Sequence, residues 1–323
     1  MTPRPRPRSR RRLRALLAAL VMAALVLPLS AAAQPHIPAP APARTGPVTA
    51  ATLEEVYAAH RANAAQASRM AAEHGDRHRA GVERALAAPS RSLLSFDGRG
   101  EGQVVEVLGD LARADRVAVL VPGSDTSLDT YDRFRAGALA LHRRLTAEAR
   151  TSTAVVAWLG YDTPGTVSAA VLTTGRADEG AARLREFLRT LRGVTGPRTG
   201  VALVCHSYGS VVCARASDEV PVDDMALIGS PGTGTDSVAD LHTSARVWAA
   251  RGSDDWVAEV PHIRAELLGT TVGFGTDPVS PAFGARVFTA GGGGHSDYFT
   301  PGSAALANLA RIVLGETSEV THG

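Results

Sequence analysis

Residues 201–211 have the sequence VALVCHSYGSV, which predicts a buried strand, a sharp turn and then a helix. The apolar run before His206 is the strand, and Ser207 occupies the turn. Such a nucleophile elbow holds a serine in a strained backbone conformation, above the carboxyl ends of a parallel sheet. Small residues two positions on either side allow strand and helix to approach closely, and here these are Cys205 and Gly209. We therefore predict that Ser207 is a catalytic nucleophile.

Short apolar runs alternate with amphipathic helical stretches on both sides of this turn, from about residue 90 to residue 316. Continuous apolar strands separated by helices are typical of a parallel sheet that is buried on both faces. The predicted fold class is α/β, with a mostly parallel sheet of about eight strands and helices on both faces. The predicted strands are Val104–Leu108, Val117–Val121, Ala154–Leu159, Val201–Cys205, Met225–Ile228, Arg246–Ala250 and Arg286–Thr289. The predicted helices are Asp132–Arg150, Asp178–Arg192, one from about Tyr208, and Gly302–Leu314.

A serine hydroxyl becomes a good nucleophile only beside a base that an acid orients. After an elbow serine, the acid precedes the histidine in the chain. Asp255 fits the acid, because it lies in the loop after the strand Arg246–Ala250 and three residues beyond Gly252. Asp254 and Asp277 remain alternatives.

The base is expected after the last strand and before the closing helix. His295 occupies this place, directly after four consecutive glycines. His206 is interpreted as a packing or orienting residue. It adjoins the serine, and its side chain is expected to point in a different direction from that of Ser207. His322 lies beyond the last helix, in a segment that we expect to be frayed.

Two backbone N–H groups are candidates for an oxyanion hole. The N–H of the residue after the nucleophile, Tyr208, is one of them. The second donor usually follows the third strand, where Gly123 permits a close approach to the substrate. We therefore predict that the N–H of Ser124 is the second donor.

Five short segments carry a family resemblance. They are VPG at 121–123, WLGYD at 158–162, HSYGS at 206–210, GSPG at 229–232 and HSDYF at 295–299. Together they resemble an actinobacterial α/β-hydrolase family of unknown function, over about residues 90–316. The resemblance implies an α/β-hydrolase fold with Ser207, Asp255 and His295 as the catalytic triad, and it implies no substrate. Cys205 departs from the glycine that usually stands two residues before the nucleophile.

The WLGYD segment follows the end of a predicted strand. Two interpretations of Trp158, Tyr161 and Asp162 stay open: these residues line the site, or they form a packed loop.

The two cysteines of the chain, Cys205 and Cys213, flank the elbow. A disulfide between them requires Cα atoms within about 7 Å. A bridge and two free buried thiols both remain open at this point.

The first 33 residues are typical of a secretory signal peptide, with seven arginines, an apolar run and small residues before a cleavage site after Ala33. The apolar run is too short to span a bilayer. Cleavage removes seven arginines and no acid, which changes the net charge from +2 to −5. We therefore expect Sec or twin-arginine export, a secreted protein without a stable membrane anchor, and no nucleic-acid partner.

The remaining segments are assigned by composition. Residues 34–50 are rich in proline and alanine and predict a flexible linker. Residues 51–89 predict an N-terminal helical segment, broken near 74–76 into two helices. Residues 90–316 form the predicted α/β-hydrolase domain, and 317–323 a tail.

These observations favour a secreted serine hydrolase. The expected reaction is the hydrolysis of a carboxylic ester of a small molecule or lipid, as in an esterase or lipase, through an acyl-enzyme and without metal or cofactor. The alternative is a non-catalytic cell-surface binding module on the same scaffold. The sequence does not determine the acyl and alcohol groups, the position of a lid or the oligomeric state.

Overall fold

A sheet of eight strands organises the computed structural model, which describes residues 37–166, 168, 174–219, 221–260, 265–267 and 270–323. The strands are β1 (Ser92–Asp97), β2 (Gln103–Leu108), β3 (Arg116–Val121), β4 (Thr153–Leu159), β5 (Gly200–His206), β6 (Asp224–Ile228), β7 (Arg246–Ala250), β8 (Ala265–Leu267), β9 (Thr270–Val272) and β10 (Arg286–Val287). The helices are α1 (Leu53–His74), α2 (Arg77–Leu86), α3 (Tyr131–Glu148), α4 (Gly175–Thr195), α5 (Gly209–Ala216) and α6 (Ala304–Leu314).

The strands of the large sheet follow the order β1-β2-β4-β3-β5-β6-β7-β10. β2 runs antiparallel to β1 and β4, and every other neighbouring pair is parallel. This arrangement confirms the predicted mostly parallel sheet. Strand β1 was not predicted, and β10 ends two residues earlier than the prediction Arg286–Thr289. β8 and β9 pair only with each other, as an antiparallel hairpin outside the large sheet.

Helices cover both faces of the large sheet because its strands are apolar on both sides. In β3, Val119 and Leu120 are both buried, and alternation along the strand directs them to opposite faces. Val119 belongs to a core cluster with residues of α4 and α5. Leu120 belongs to a second cluster with residues of α3 and α6. The predicted two-sided packing is confirmed.

The N-terminal helices break where the sequence predicts it. α1 ends at His74, and Gly75 follows in a left-handed conformation with φ of 94°. The side chain of Asp76 then accepts a hydrogen bond from the N–H of Arg79 and caps α2. α1 packs against β1, at the edge of the sheet.

The C-terminal tail is ordered by pairing with the chain after β10. The N–H of Thr289 donates to the carbonyl of Thr321 at 2.9 Å, and His322 forms a β-bridge with Phe288. The expectation that this tail is frayed is therefore wrong, because its backbone groups find partners at the edge of the sheet.

The predicted signal peptide, residues 1–33, lies outside the described residues. Within the part of the chain that the structure describes, no helix combines the length and the apolar character needed to cross a bilayer.

Cys205 and Cys213 form a disulfide, which decides between the two alternatives left open above. Their Cα atoms are 6.4 Å apart, within the range that a disulfide requires. Cys205 is near the end of β5, and Cys213 is in α5. The bond therefore joins the strand and the helix on either side of Ser207.

Reduction of this disulfide is expected to lower the free energy of unfolding by roughly 2–3 kcal/mol, because the unfolded chain loses a closed loop of about eight residues. Urea denaturation of the wild type with and without reductant measures the difference. The variant with both cysteines replaced by serine serves as control, since its midpoint should not respond to reductant. An unchanged wild-type midpoint would show that the bond contributes nothing to stability.

Candidate active site

Ser207 occupies the turn between β5 and α5, as predicted. Its φ is 53°, one of three positive values among the described non-glycine residues. The N–H of Ser207 donates to the carbonyl of Ile228 at 2.9 Å, which anchors the turn to the neighbouring strand β6. Strained backbone of this kind is frequent at functional sites. The turn thus has the conformation of a nucleophile elbow.

Two glycines make room for this turn. A Cβ on Gly209 would lie 2.6 Å from the carbonyl oxygens of Val121 and Pro122, so only glycine allows α5 to start this close to the end of β3. A Cβ on Gly123 would lie 2.6 Å from the Cβ of Ser207. The loop after β3 therefore passes directly against the serine, as the predicted oxyanion loop requires.

His295 and Asp255 are joined by hydrogen bonds. The Nδ1–H of His295 donates to Asp255, with distances of 2.9 Å to Oδ1 and 3.1 Å to Oδ2. The side chain of Asp255 is fully buried, and that of His295 is 15% exposed. The structure therefore brings together the acid and the base that the sequence predicts, from the loops after β7 and β10.

The surroundings of Asp255 favour its charged form. Burial by itself raises the pKa of this carboxyl, but its hydrogen bonds outweigh burial and leave the pKa below its usual value. The donors, besides His295, are the hydroxyl of Tyr298 and the N–H of Val257. Asp255 is therefore an ionised acceptor at neutral pH.

The two alternative acids lie in other contacts. Asp254 is exposed, and its partner is the hydroxyl of Ser253 at 3.4 Å. Asp277 forms an ion pair with Arg251 at 2.7 Å. Of the three candidates, only Asp255 is shown in contact with His295.

The elbow serine and the predicted base line one cavity of about 950 Å³. Ser207 and His295 both border this space, and so do Ser124 and Tyr208, which carry the two predicted oxyanion N–H groups. Tyr208 is the first residue after the nucleophile, immediately before α5. The cavity has a volume in the range of pockets for drug-sized ligands.

His206 connects the elbow to the loop of the base. Its Nε2–H donates to the backbone carbonyl of His295 at 2.7 Å, and the two imidazole rings are 4.7 Å apart. Burial, and after it the neighbouring His295, lower the pKa of His206 to about 4. The orienting role considered for this residue is consistent with a neutral ring that holds the His295 backbone.

Replacing His206 with glutamine is expected to reduce the decrease in the free energy of unfolding that occurs as the pH falls. The pKa of His206 is about 4 in the folded chain and about 6.5 in the unfolded chain. Between these two pH values the unfolded chain therefore binds a proton at this residue and the folded chain does not. The stability from this residue is complete above pH 6.5 and is lost as the pH falls through 4, by about 2 kcal/mol between pH 7 and pH 4.5. Glutamine keeps an N–H donor and does not titrate.

Urea unfolding of the wild type and of His206→Gln at several pH values measures this difference, since all other groups are shared. Parallel curves for the two proteins would contradict the expected result.

Tyr298 is a site residue to which the sequence assigns no role beyond its place in the HSDYF segment. It is buried, its hydroxyl donates to Asp255, and the same hydroxyl accepts the N–H of Gly252 at 3.1 Å. It therefore binds Oδ2 of the carboxylate, whereas the Val257 N–H binds Oδ1. The signal in the sequence that could have identified it is its position three residues after His295.

Trp256 was also missed. It is 51% exposed, the one large hydrophobic side chain of the described residues that is so exposed, and its ring lies 4.8 Å from that of His295. No pattern in the sequence distinguishes it from a buried tryptophan.

The WLGYD segment comprises the last two residues of β4 and the loop after it, and its aromatic side chains are packed in the core. Trp158 and Tyr161 are buried and stack at 5.9 Å, and the Tyr161 hydroxyl donates to the carbonyl of Pro122 at 2.7 Å. Asp162 accepts a hydrogen bond from Gln103. None of Trp158, Tyr161 and Asp162 lines the cavity beside Ser207. Through the Tyr161 hydroxyl, the segment is hydrogen-bonded to the loop after β3.

Fold and site together define a class. A mostly parallel eight-stranded sheet with an elbow serine after β5 is the α/β-hydrolase fold. Residues 97–265, just over half of the chain, match the family model described as Alpha/beta hydrolase. The chain belongs to this family.

Two similar proteins come from Mycobacterium tuberculosis strain H37Rv. The uncharacterised protein Rv2079 is 30% identical over 252 residues, which cover 69% of this chain and 38% of that protein. The uncharacterised protein Rv0963c is 31% identical over 160 residues, which cover 46% of this chain and 60% of that protein. The chain thus spans less than two thirds of the length of both curated relatives.

Solved structures also resemble the chain. Esterase PE8 has a TM-score of 0.43 at 18% identity, covering 65% of this chain and 97% of its own. XC6422 from Xanthomonas campestris, described as an a/b serine hydrolase without lid, has a TM-score of 0.43 at 16% identity, covering 72% and 95%.

Proposed function

We propose that this protein is an exported serine hydrolase that cleaves carboxylic esters through an acyl-enzyme intermediate. The observation that carries the proposal is the hydrogen-bonded pair of His295 and Asp255, bordering the same cavity as the elbow residue Ser207. Membership of the α/β-hydrolase family supports hydrolysis as the reaction type.

In the proposed first half-reaction, Ser207 Oγ attacks the ester carbonyl while the Nε2 of His295 takes the hydroxyl proton. The carbonyl oxygen becomes negative and accepts the N–H groups of Tyr208 and Ser124. The tetrahedral intermediate then breaks its bond to the alcohol oxygen, to which His295 returns the proton. The products are a free alcohol and an acyl-serine.

In the second half-reaction, water attacks the acyl-serine and His295 takes its proton. The new tetrahedral intermediate expels Ser207 Oγ, which regains the proton, and the carboxylic acid leaves. Asp255 contributes throughout, because it binds Nδ1–H and so leaves the Nε2 lone pair available to accept the proton.

The proposed substrate and location rest on separate features. A large cavity with mainly apolar lining supports an ester of a lipid or small molecule. Export is proposed from the first 33 residues, and the net charge of −5 after their removal argues against a nucleic-acid partner.

A fluorophosphonate probe tests this function in the full chain, because such probes phosphonylate activated serines. We expect labelling that peptide mapping assigns to Ser207, and hydrolysis of p-nitrophenyl esters above background. A folded protein that is neither labelled nor active on any such ester would overturn the proposal and favour the non-catalytic binding module.

A further inference from the structure

The cavity beside Ser207 continues along one face of helix α3. The lining residues of this helix recur at spacings of three and four, as in 133, 136, 140 and 143, which places them along one side of the helix. They are Arg133, Phe134, Ala136, Gly137, Ala140 and Arg143. At 1.5 Å per residue, the distance from Arg133 to Arg143 is about 15 Å along the axis. The part of the cavity that these residues line is here called the α3 groove.

The α3 groove has apolar walls on its other sides. Its floor includes Leu120 and Val204, from the ends of β3 and β5. Opposite α3 lie Phe299 and Pro301, from the segment between His295 and α6. An apolar wall on each side suits an apolar occupant.

Three of the residues that line the groove on α3 are small. A Cβ on Gly137 would lie only 3.0 Å from the ring of Phe299, so helix and loop already approach closely at this point. Ala136 and Ala140, on either side of Gly137 in the chain, also line the cavity. A larger side chain at these positions would occupy the groove instead of a ligand.

The charged side chains that α3 contributes to the groove lie at its two ends. Arg133 and Arg143 are both exposed, and Asp125, the one carboxylate that lines the cavity among the described residues, is bonded to Thr166. Between the ends, no charged side chain of the described residues borders the groove. A long ligand can thus lie along it without burying an unpaired charge.

We infer that the α3 groove binds the acyl chain of the substrate, so that the substrate class is a medium- to long-chain fatty-acid ester. The inference rests on the proposed function, which places the ester carbonyl at Ser207. The leaving alcohol has to lie beside the imidazole of His295, where Trp256 packs, and this assigns the part of the cavity lined by Trp256 and Val257 to the alcohol. The long and largely apolar α3 groove then takes the acyl chain.

The first test is the dependence of kcat/KM on chain length, using p-nitrophenyl butanoate, octanoate, dodecanoate and hexadecanoate. Each methylene that leaves water gains binding energy in the transition state, so kcat/KM for dodecanoate should exceed that for butanoate by at least about tenfold. Equal or better hydrolysis of butanoate would overturn the inference while leaving the hydrolase assignment intact.

The second test fills the groove. Ala140→Phe should lower the ratio of kcat/KM for dodecanoate to kcat/KM for butanoate by about tenfold or more, because the added ring occupies groove space that the longer chain needs. Ala136→Phe is a second variant, at an exposed position that accepts a larger side chain without refolding the core. Ala147→Phe is the matched control on α3, exposed and outside the cavity lining, and should keep the wild-type profile.

The outcomes separate the two proposals. If both groove variants fold and retain the wild-type chain-length profile, the groove is not the acyl site, although Ser207 is still labelled by the fluorophosphonate. If wild type shows no labelling and no hydrolysis, the proposed function itself fails.

Discussion

Replacing Ser207 with alanine is expected to lower kcat by about 10⁵- to 10⁶-fold, since the variant has no oxygen with which to form the acyl-enzyme. Both residues carry a Cβ, so the strained φ of 53° is retained and the fold should persist. The rate is measured on the best p-nitrophenyl ester of the panel. Fluorophosphonate labelling should disappear together with activity.

Ser90→Ala is a suitable control for this variant, because Ser90 is an exposed serine outside the cavity lining. Its activity and labelling should equal those of the wild type. A folded Ser207→Ala protein that still hydrolyses esters at a substantial fraction of the wild-type rate would refute the assignment of Ser207 as nucleophile.

Replacing Asp255 with asparagine is expected to lower kcat by about 10⁴-fold. The asparagine amide is neutral, and it can present an N–H to Nδ1, which stabilises the wrong imidazole tautomer. The Tyr298 hydroxyl and the Val257 N–H also lose their charged acceptor. Steady-state kinetics at neutral pH measures the effect, and thermal unfolding reports whether the loop has kept its structure.

Asp254→Asn is the matched control, since it makes the same chemical change one residue earlier. Asp254 is exposed and its side chain is hydrogen-bonded to Ser253, whereas His295 is hydrogen-bonded to Asp255, so the Asp254 variant should retain activity within about twofold. A large loss for Asp254→Asn with little loss for Asp255→Asn would reverse the assignment of the acid.

Much of the fold follows from local patterns. The six predicted strands from Val104 to Ala250 correspond to β2 through β7, because a strand buried on both faces needs a continuous apolar run. The elbow at Ser207 was also predictable from a local pattern. The strand, the turn and the small residue Gly209 that it requires all lie within one short segment of the chain. Strand β1 was missed because an antiparallel edge strand lacks such a run.

The details of the site depend on distant segments. Spacing favours Asp255 and leaves Asp254 as an alternative, and only the orientation of the loop after β7 towards His295 decides between them. The disulfide was undecided because the separation of Cys205 and Cys213 depends on how closely α5 returns to β5. The order of the tail depends on pairing with Phe288, which no local pattern indicates.

The amino-acid sequence alone therefore determined the α/β architecture, the elbow and the three residue types of the candidate triad, because these rest on apolar periodicity and on chemistry within short segments. The tertiary structure decided which carboxylate meets the imidazole, that His206 and Tyr298 hold this pair, and that a groove runs along α3. These features arise where loops from different strands converge, and their geometry is set by packing between residues that are far apart in the chain.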